Sequence, residues 1–269
     1  MLDRNNPMRK RAHSKSQAGF SLLELLIVCA LLTIIMGAIF AQINQAQQNS
    51  AAEQMKLDLF QESREFMDQM SRDLRAAGYP NPHNFSGNPV GSLGDIEPYS
   101  SQKAVGLVKI DVGTLYFESS VDGCSSTASG NACNVSVIRY DLVTTGPGCP
   151  CLTRSQTPKA TADPVNGQSD TQQTEVQNVL NGTTGDPIFQ AYYSDGTPVT
   201  PLPMDMYGSC AGVPCLANVN SIAITLKVQS PYLDPKTGQK PTMTLLSTVR
   251  LNNCSSAYLG SADTVMGCR

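Results

Sequence analysis

The chain has no tryptophan, only two histidines in 269 residues, and charged side chains at just 15%. Each shortage excludes something. His13 lies in a basic N-terminal stretch and His83 stands alone in the remainder, so a histidine-based triad or a multi-histidine metal centre has no raw material. There is no G-x-S-x-G elbow, no H-E-x-x-H pair and no phosphate-cradling loop. Serine and aspartate are common, but without a paired base they read as turn formers, and no enzymatic activity is expected. Sparse charge with 21 glycines and 17 prolines suits a turn-rich extracellular β domain better than a helical cytosolic enzyme.

Net charge is -3, unevenly spread. Arg4, Arg9, Lys10, Arg11 and Lys15 against Asp3 make residues 1–19 about +4, which leaves about -7 for the rest. So acidic a remainder has no generic attraction for nucleic acid or anionic lipid.

Cysteine, by contrast, is plentiful. Of nine, Cys29 falls inside an apolar run, and Cys124, Cys133, Cys149, Cys151, Cys210, Cys215, Cys254 and Cys268 all follow it. An even set on one side of a membrane segment fits disulfides in an oxidising compartment. Zinc is the rival reading, but C-x-C at 149–151 and C-x4-C at 210–215 miss the usual C-x2-C spacing. Neither metal nor cofactor is expected. Pairing by proximity gives Cys124–Cys133, Cys210–Cys215 and Cys254–Cys268. Cys149 and Cys151 stay unassigned, because a bridge between them closes a very small ring. Asp195 and Asp234 are turn acids that could bind calcium, yet neither sits in a D-x-[DN]-x-[DN]-G loop.

From Phe20 to Ala41 the chain is apolar apart from Glu24 and a few small polar residues. As a helix these residues span about 33 Å, enough to cross a bilayer. The basic stretch precedes them, so the N-terminus stays cytoplasmic and the remainder is exported. A secretory signal peptide would have a shorter apolar region, of about 7–15 residues, and a small-x-small cleavage site. Neither it nor a plain signal anchor explains Glu24, a carboxylate that costs roughly 2.5–3.5 kcal/mol in the hydrocarbon.

Gly19-Phe20-Ser21-Leu22-Leu23-Glu24-Leu25-Leu26-Ile27 resembles the processing site of bacterial type IV prepilins. The resemblance implies cleavage after Gly19 by a prepilin peptidase, N-methylation of Phe20, and a role for Glu24 in assembly. A buried carboxylate needs a cationic partner, and the new amine of Phe20 on a neighbouring subunit would supply it. Two features depart from the pattern. The leader of 19 residues is long, and Gln17-Ala18 stand where many family members carry a basic residue.

No proline interrupts Phe20 to Ala77. Met55, Leu59, Phe66, Met70, Leu74 and Ala77 recur at helical spacing, opposite Asp58, Glu62, Glu65, Asp68, Arg72 and Arg75. Gly78-Tyr79-Pro80 should end the helix. Arg72-Asp73-Leu74-Arg75-Ala76-Ala77-Gly78-Tyr79 is similar to the end of the long helix in PilW-type minor pilins.

Residues 81–103 read as a loop, Val105–Ile110 with Gly113–Phe117 as a hairpin, and Val135–Val143 as a strand. Residues 144–172, rich in Thr, Ser, Pro, Gly and Gln, read as an exposed and variable excursion. Ile188–Tyr193 is a strand followed by a turn at Asp195-Gly196. Ile222, Ile224, Leu226 and Val228 alternate against Thr225, Lys227 and Gln229, and Met243, Leu245, Val249 and Leu251 mirror them. These are two antiparallel strands across the Pro231–Lys240 turn.

The expected fold is α+β. Residues 1–19 form a leader, 20–41 a transmembrane or filament-core helix, 42–78 an amphipathic helix, and 79–269 a disulfide-rich β domain with long loops. The resemblance implies a minor pilus subunit that primes or caps assembly near the tip. It would reside in the inner membrane first and in an extracellular pilus afterwards. Its partners would be other minor and major pilins, the peptidase, the inner-membrane assembly platform and a tip adhesin. The alternatives are a large minor pseudopilin of type II secretion and a tip-displayed ligand-binding pilin.

Overall fold

The computed structural model describes residues 19–79, 104–120, 124–127, 130–161, 163, 165–206, 215–252, 256–258 and 264–266. The chain divides into two units, Met1–Ser50 and Ala51–Arg269. Helix α1, Leu22–Ala76, belongs in part to each. Its second part packs on antiparallel sheets, so the fold is α+β and pilin-like.

The period of 3.6 residues decides which side of α1 is buried in the second unit. Phe66, Met70, Leu74 and Ala77 are buried and Met55 and Leu59 half-buried, as the spacing predicts. Met67, Ser63 and Ala52 widen the stripe. Gly78 ends the helix at φ 76°, a conformation that suits glycine, and donates its N–H to the Glu118 carbonyl at 2.8 Å.

β1 (Leu107–Ile110) and β2 (Thr114–Ser119) form the expected hairpin. β3 (Cys124–Thr127) and β4 (Gly130–Cys133) make a small ribbon of their own. β5 (Ser136–Val143) pairs with β2, β6 (Cys151–Pro158) with β5, and β7 (Gln173–Val176) with β6. After the short helix α2 (Asn181–Thr184) come β8 (Phe189–Tyr192) and β9 (Met204–Asp205). The main sheet runs β7-β6-β5-β2-β1-β9. β10 (Ser221–Gln229) and β11 (Thr242–Arg250) complete a second sheet of order β11-β10-β8. β12 (Ser256–Tyr258) pairs with β13 (Thr264–Met266). The loop expected at 81–103 lies outside the described residues.

The expectation for residues 144–172 is wrong. Their middle is β6, eight residues long and inside the main sheet. Thr153, Ser155 and Thr157 are buried there. Each polar group has a partner, which makes the burial tolerable. Thr153 Oγ1 donates to the Gln172 amide oxygen at 2.7 Å, and Thr157 Oγ1 to the Ser169 carbonyl at 2.7 Å. Ser155 Oγ accepts the Thr171 N–H at 3.4 Å.

One core fills the space between the helix and the sheets. Phe117, Tyr140, Met70, Leu74, Leu115 and Ile138 are all fully buried within it. The Tyr140 ring meets Phe66 edge-on, with centroids 5.9 Å apart, and stacks on Phe117 at 6.3 Å. Each such side chain contributes roughly 1.5–3 kcal/mol by leaving water.

The polar end of this contact is specific. Tyr140 Oη donates to Asp73 Oδ2 at 2.7 Å, and Arg154 pairs with the same oxygen at 2.8 Å. Burial raises the Tyr140 hydroxyl pKa, and the Asp73 charge raises it further. Asp73→Ala removes the acceptor of the buried Tyr140 hydroxyl and the counter-charge of Arg154, whose remaining bonds run to Tyr140 and Gln156. It should destabilise the second unit by about 2–3 kcal/mol in denaturant unfolding. A loss under 0.5 kcal/mol would mean the cluster does not hold helix to sheet.

Candidate functional site

Gly19, Phe20 and Ser21 precede the helix in non-helical backbone, and the first helical hydrogen bond runs from Leu25 N–H to the Ser21 carbonyl at 3.1 Å. The Gly19–Phe20 peptide thus lies in exposed, non-helical chain, open to a peptidase. A Cβ built on Gly19 would meet nothing within 4 Å. Any demand for glycine there would come from the enzyme that binds it.

Glu24 falls in the first turn of α1. Helix N-termini carry unpaired N–H groups and a partial positive charge, so a carboxylate is well placed there. Around it Phe20 is 84% exposed, Leu22 77% and Leu23 67%. Exposed apolar side chains continue through Phe40 and Ile43. This is a helix long and apolar enough to cross a membrane. Thr33 returns its hydroxyl to the Ala30 carbonyl at 2.8 Å, which hides the one hydroxyl in mid-segment. Cys29 is a free thiol on the same exposed surface. The segment offers covering apolar surface on every side and one anionic group near its start.

The other cysteines are placed as follows. Cys149 and Cys151 are bridged, with Cα atoms 4.3 Å apart. Gly146 and Gly148, at φ 127° and 77°, turn the chain tightly enough for this. Cys215 is disulfide-bonded. The β3–β4 register sets Cys124 directly opposite Cys133. Cys210, Cys254 and Cys268 lie outside the described residues, as does His83.

Asp195 and Asp234 spend their carboxylates on their own turns. Asp195 Oδ1 accepts the Thr197 hydroxyl at 2.7 Å and its N–H at 2.9 Å, and Asp234 Oδ1 accepts the Lys236 N–H at 2.8 Å. These bonds hold both carboxyls below the usual range. Among the described residues no cluster of three or more His, Cys, Asp or Glu is arranged to hold a metal.

Two buried ionic contacts carry no sequence signal. One is the Asp73 cluster. The other is Lys159 Nζ to Glu118 Oε2 at 2.9 Å, with both side chains fully enclosed. Glu118 Oε2 also accepts the Val105 N–H at 3.0 Å, while Oε1 has no partner among the described residues. Desolvation raises the Glu118 carboxyl pKa, and the Lys159 charge opposes the rise.

Residues 14–40 match the family model of the prokaryotic N-terminal methylation motif. The match covers Gly19, Phe20, Glu24 and most of the apolar segment. No curated protein and no solved structure gave a significant match to the chain. The motif, on a membrane-capable helix that continues into an antiparallel β unit, supports a type IV pilin-like or pseudopilin precursor, a class of structural subunits.

Proposed function

We propose that the chain is a minor subunit of a type IV pilus. It would be cut between Gly19 and Phe20 by a prepilin peptidase, methylated on the new Phe20 amine, and drawn from the inner membrane into the filament near its tip. The methylation motif over residues 14–40 carries this reading. Three further features support it. Glu24 is a lone carboxylate in apolar surroundings that require a cation from another chain. The second unit is large and loop-rich, which suits a low-copy subunit better than a repeating one. Its cysteines favour an extracellular pilus over a secretion pseudopilus. Other pilins, the assembly platform and a tip adhesin are the partners this role requires.

Processing gives the direct test. Intact mass and N-terminal peptide analysis of the chain from its own host should show N-methyl-Phe20 as the first residue. A mature start near residue 41 would identify a signal peptide and end the pilin reading. Recovery in sheared surface pili, and not with a secretion complex, distinguishes the two filament types.

A further inference from the structure

Among the described residues, the three most exposed large apolar side chains of the second unit lie on one hairpin: Leu246 at 76%, Tyr232 at 70% and Leu233 at 59%. The hairpin is β10–β11, and β11 is the outer strand of its sheet. Its direction can be worked out from hydrogen bonds. Ser230 donates to the Pro241 carbonyl, and Leu251 donates to the Asn220 carbonyl. On the opposite side, Thr225 donates to Ile188 and Gln229 to Asn178. Even-numbered residues of β10 therefore bond to β11, and their partners there are Met243, Leu245, Ser247 and Val249. The alternate residues, Thr242, Thr244, Leu246, Thr248 and Arg250, turn N–H and C=O outward. Among the described residues no backbone group meets them.

Sheet edges are normally blunted by proline, lysine, a bulge or a short strand. β11 has none of these. It is nine residues long, in unbroken register with β10, and contains no proline or lysine. α1 adds an apolar flank. The Ser71 hydroxyl lies 3.3 Å from that of Ser247, so this side of the helix faces β11. Phe60 and Leu57 project about 20° and 40° around the helix from Ser71 at 3.6 residues per turn, and both are exposed, Leu57 at 58%.

We infer that the outer edge of β11 takes up an extended segment of a different pilin-like subunit, which adds a strand to the β11-β10-β8 sheet. This rests on the filament reading above. The charge pattern describes the occupant. Along the outward row only Arg250 is charged, and Lys240 stands just before the other end. A neutral, β-branched or apolar segment with an acidic residue at either end fits. The β11 edge of a second copy, paired antiparallel, does not. Two β11 strands paired antiparallel are related by a twofold axis normal to the sheet. That axis turns the helix packed on the sheet end for end, and two such chains cannot enter one filament in the same direction. A different subunit can present its strand with the helices aligned.

The test uses the full chain in its host, with a photo-crosslinking amino acid in place of Leu246 and a control at Val112, which is 50% exposed elsewhere. The Leu246 probe should capture another pilin-like subunit, identified by mass spectrometry, at least tenfold above the control. Thr244→Pro and Thr248→Pro each remove one outward N–H and leave the β10 ladder intact. Each should cut that yield at least tenfold with the unfolding midpoint unchanged. Thr244→Lys with Thr248→Lys blunts the same edge without proline and should do likewise. Capture of a second copy, of lipid or of a non-pilin protein overturns the inference, as does a yield equal to the control or unaffected by the lysine pair. A chain that stays out of sheared filaments with residues 1–19 still attached overturns the filament reading instead.

Discussion

Replacing Lys159 with methionine should cost the second unit more above neutral pH than at pH 4.5, by up to about 3 kcal/mol. Lys159 and Glu118 are enclosed together, and among the described residues the lysine is the only cation bonded to that carboxylate. Without it the folded chain must either bury an unpaired charge or protonate Glu118. Glu118 already has a raised pKa, so its stabilising contribution is complete below the unfolded value of 4.5 and is lost as pH climbs through the folded value. Loss of the Lys159 charge lifts the folded value further. Between the two folded values the variant then falls behind the native chain by about 1.4 kcal/mol per pH unit. Urea unfolding of the full chain in detergent at both pH values measures this. An equal penalty at the two pH values would show that methionine harms packing alone. Glu118→Leu with Lys159→Met should recover most of the loss, because an apolar pair removes both charges from the interior.

That pair also marks where sequence reading stops. Helix α1 was legible because its buried residues recur every third or fourth position and no proline interrupts them. β10 and β11 were legible because alternating residues meet alternating faces, and the register sets Val228 opposite Met243, Leu226 opposite Leu245 and Ile222 opposite Val249, with Ser247 opposite Ile224. β6 was not. Its buried alternate residues are Thr153, Ser155 and Thr157, on the face opposite Leu152 and Arg154, and a polar alternation has the composition of a loop. What makes it a strand is the backbone ladder to β5 along its whole length, and residues 169–172, which adjoin it only after folding, satisfy its hydroxyls. Lys159 and Glu118 lie 41 positions apart, and each alone reads as a surface charge. Asp73 was visible as part of a helix-end motif, but its partners Tyr140 and Arg154 come from two later strands. The N-terminal segment reverses this pattern. Among the described residues Gly19, Phe20 and Glu24 have no contact that would distinguish them, so spacing is what marks them.

Glu24→Ala should leave insertion, cleavage and the β unit intact and lower recovery of the chain in sheared filaments by at least tenfold. Glu24 sits on an exposed first turn, and among the described residues no hydrogen bond or ion pair involves its side chain. Removing it costs the free subunit only the weak attraction to the helix N-terminus, and it relieves the membrane of a carboxylate. In a packed filament core the balance reverses. Water is excluded there, and the methylated amine of Phe20 from a neighbour would be a buried cation that needs an anion. An alanine leaves that amine unpaired, and the subunit is disfavoured at each attempt to enter. Glu24→Gln keeps the shape and a hydrogen-bond acceptor but not the charge, so it should fail nearly as badly. Glu24→Asp keeps the charge one methylene short and should recover part of the loss. The measurement is the ratio of filament to membrane-pool protein for each variant, with intact mass confirming that Phe20 is still exposed and methylated. Full incorporation of the alanine variant would refute the pairing. Equal failure of Asp and Ala would show that length, and not charge alone, sets the contact.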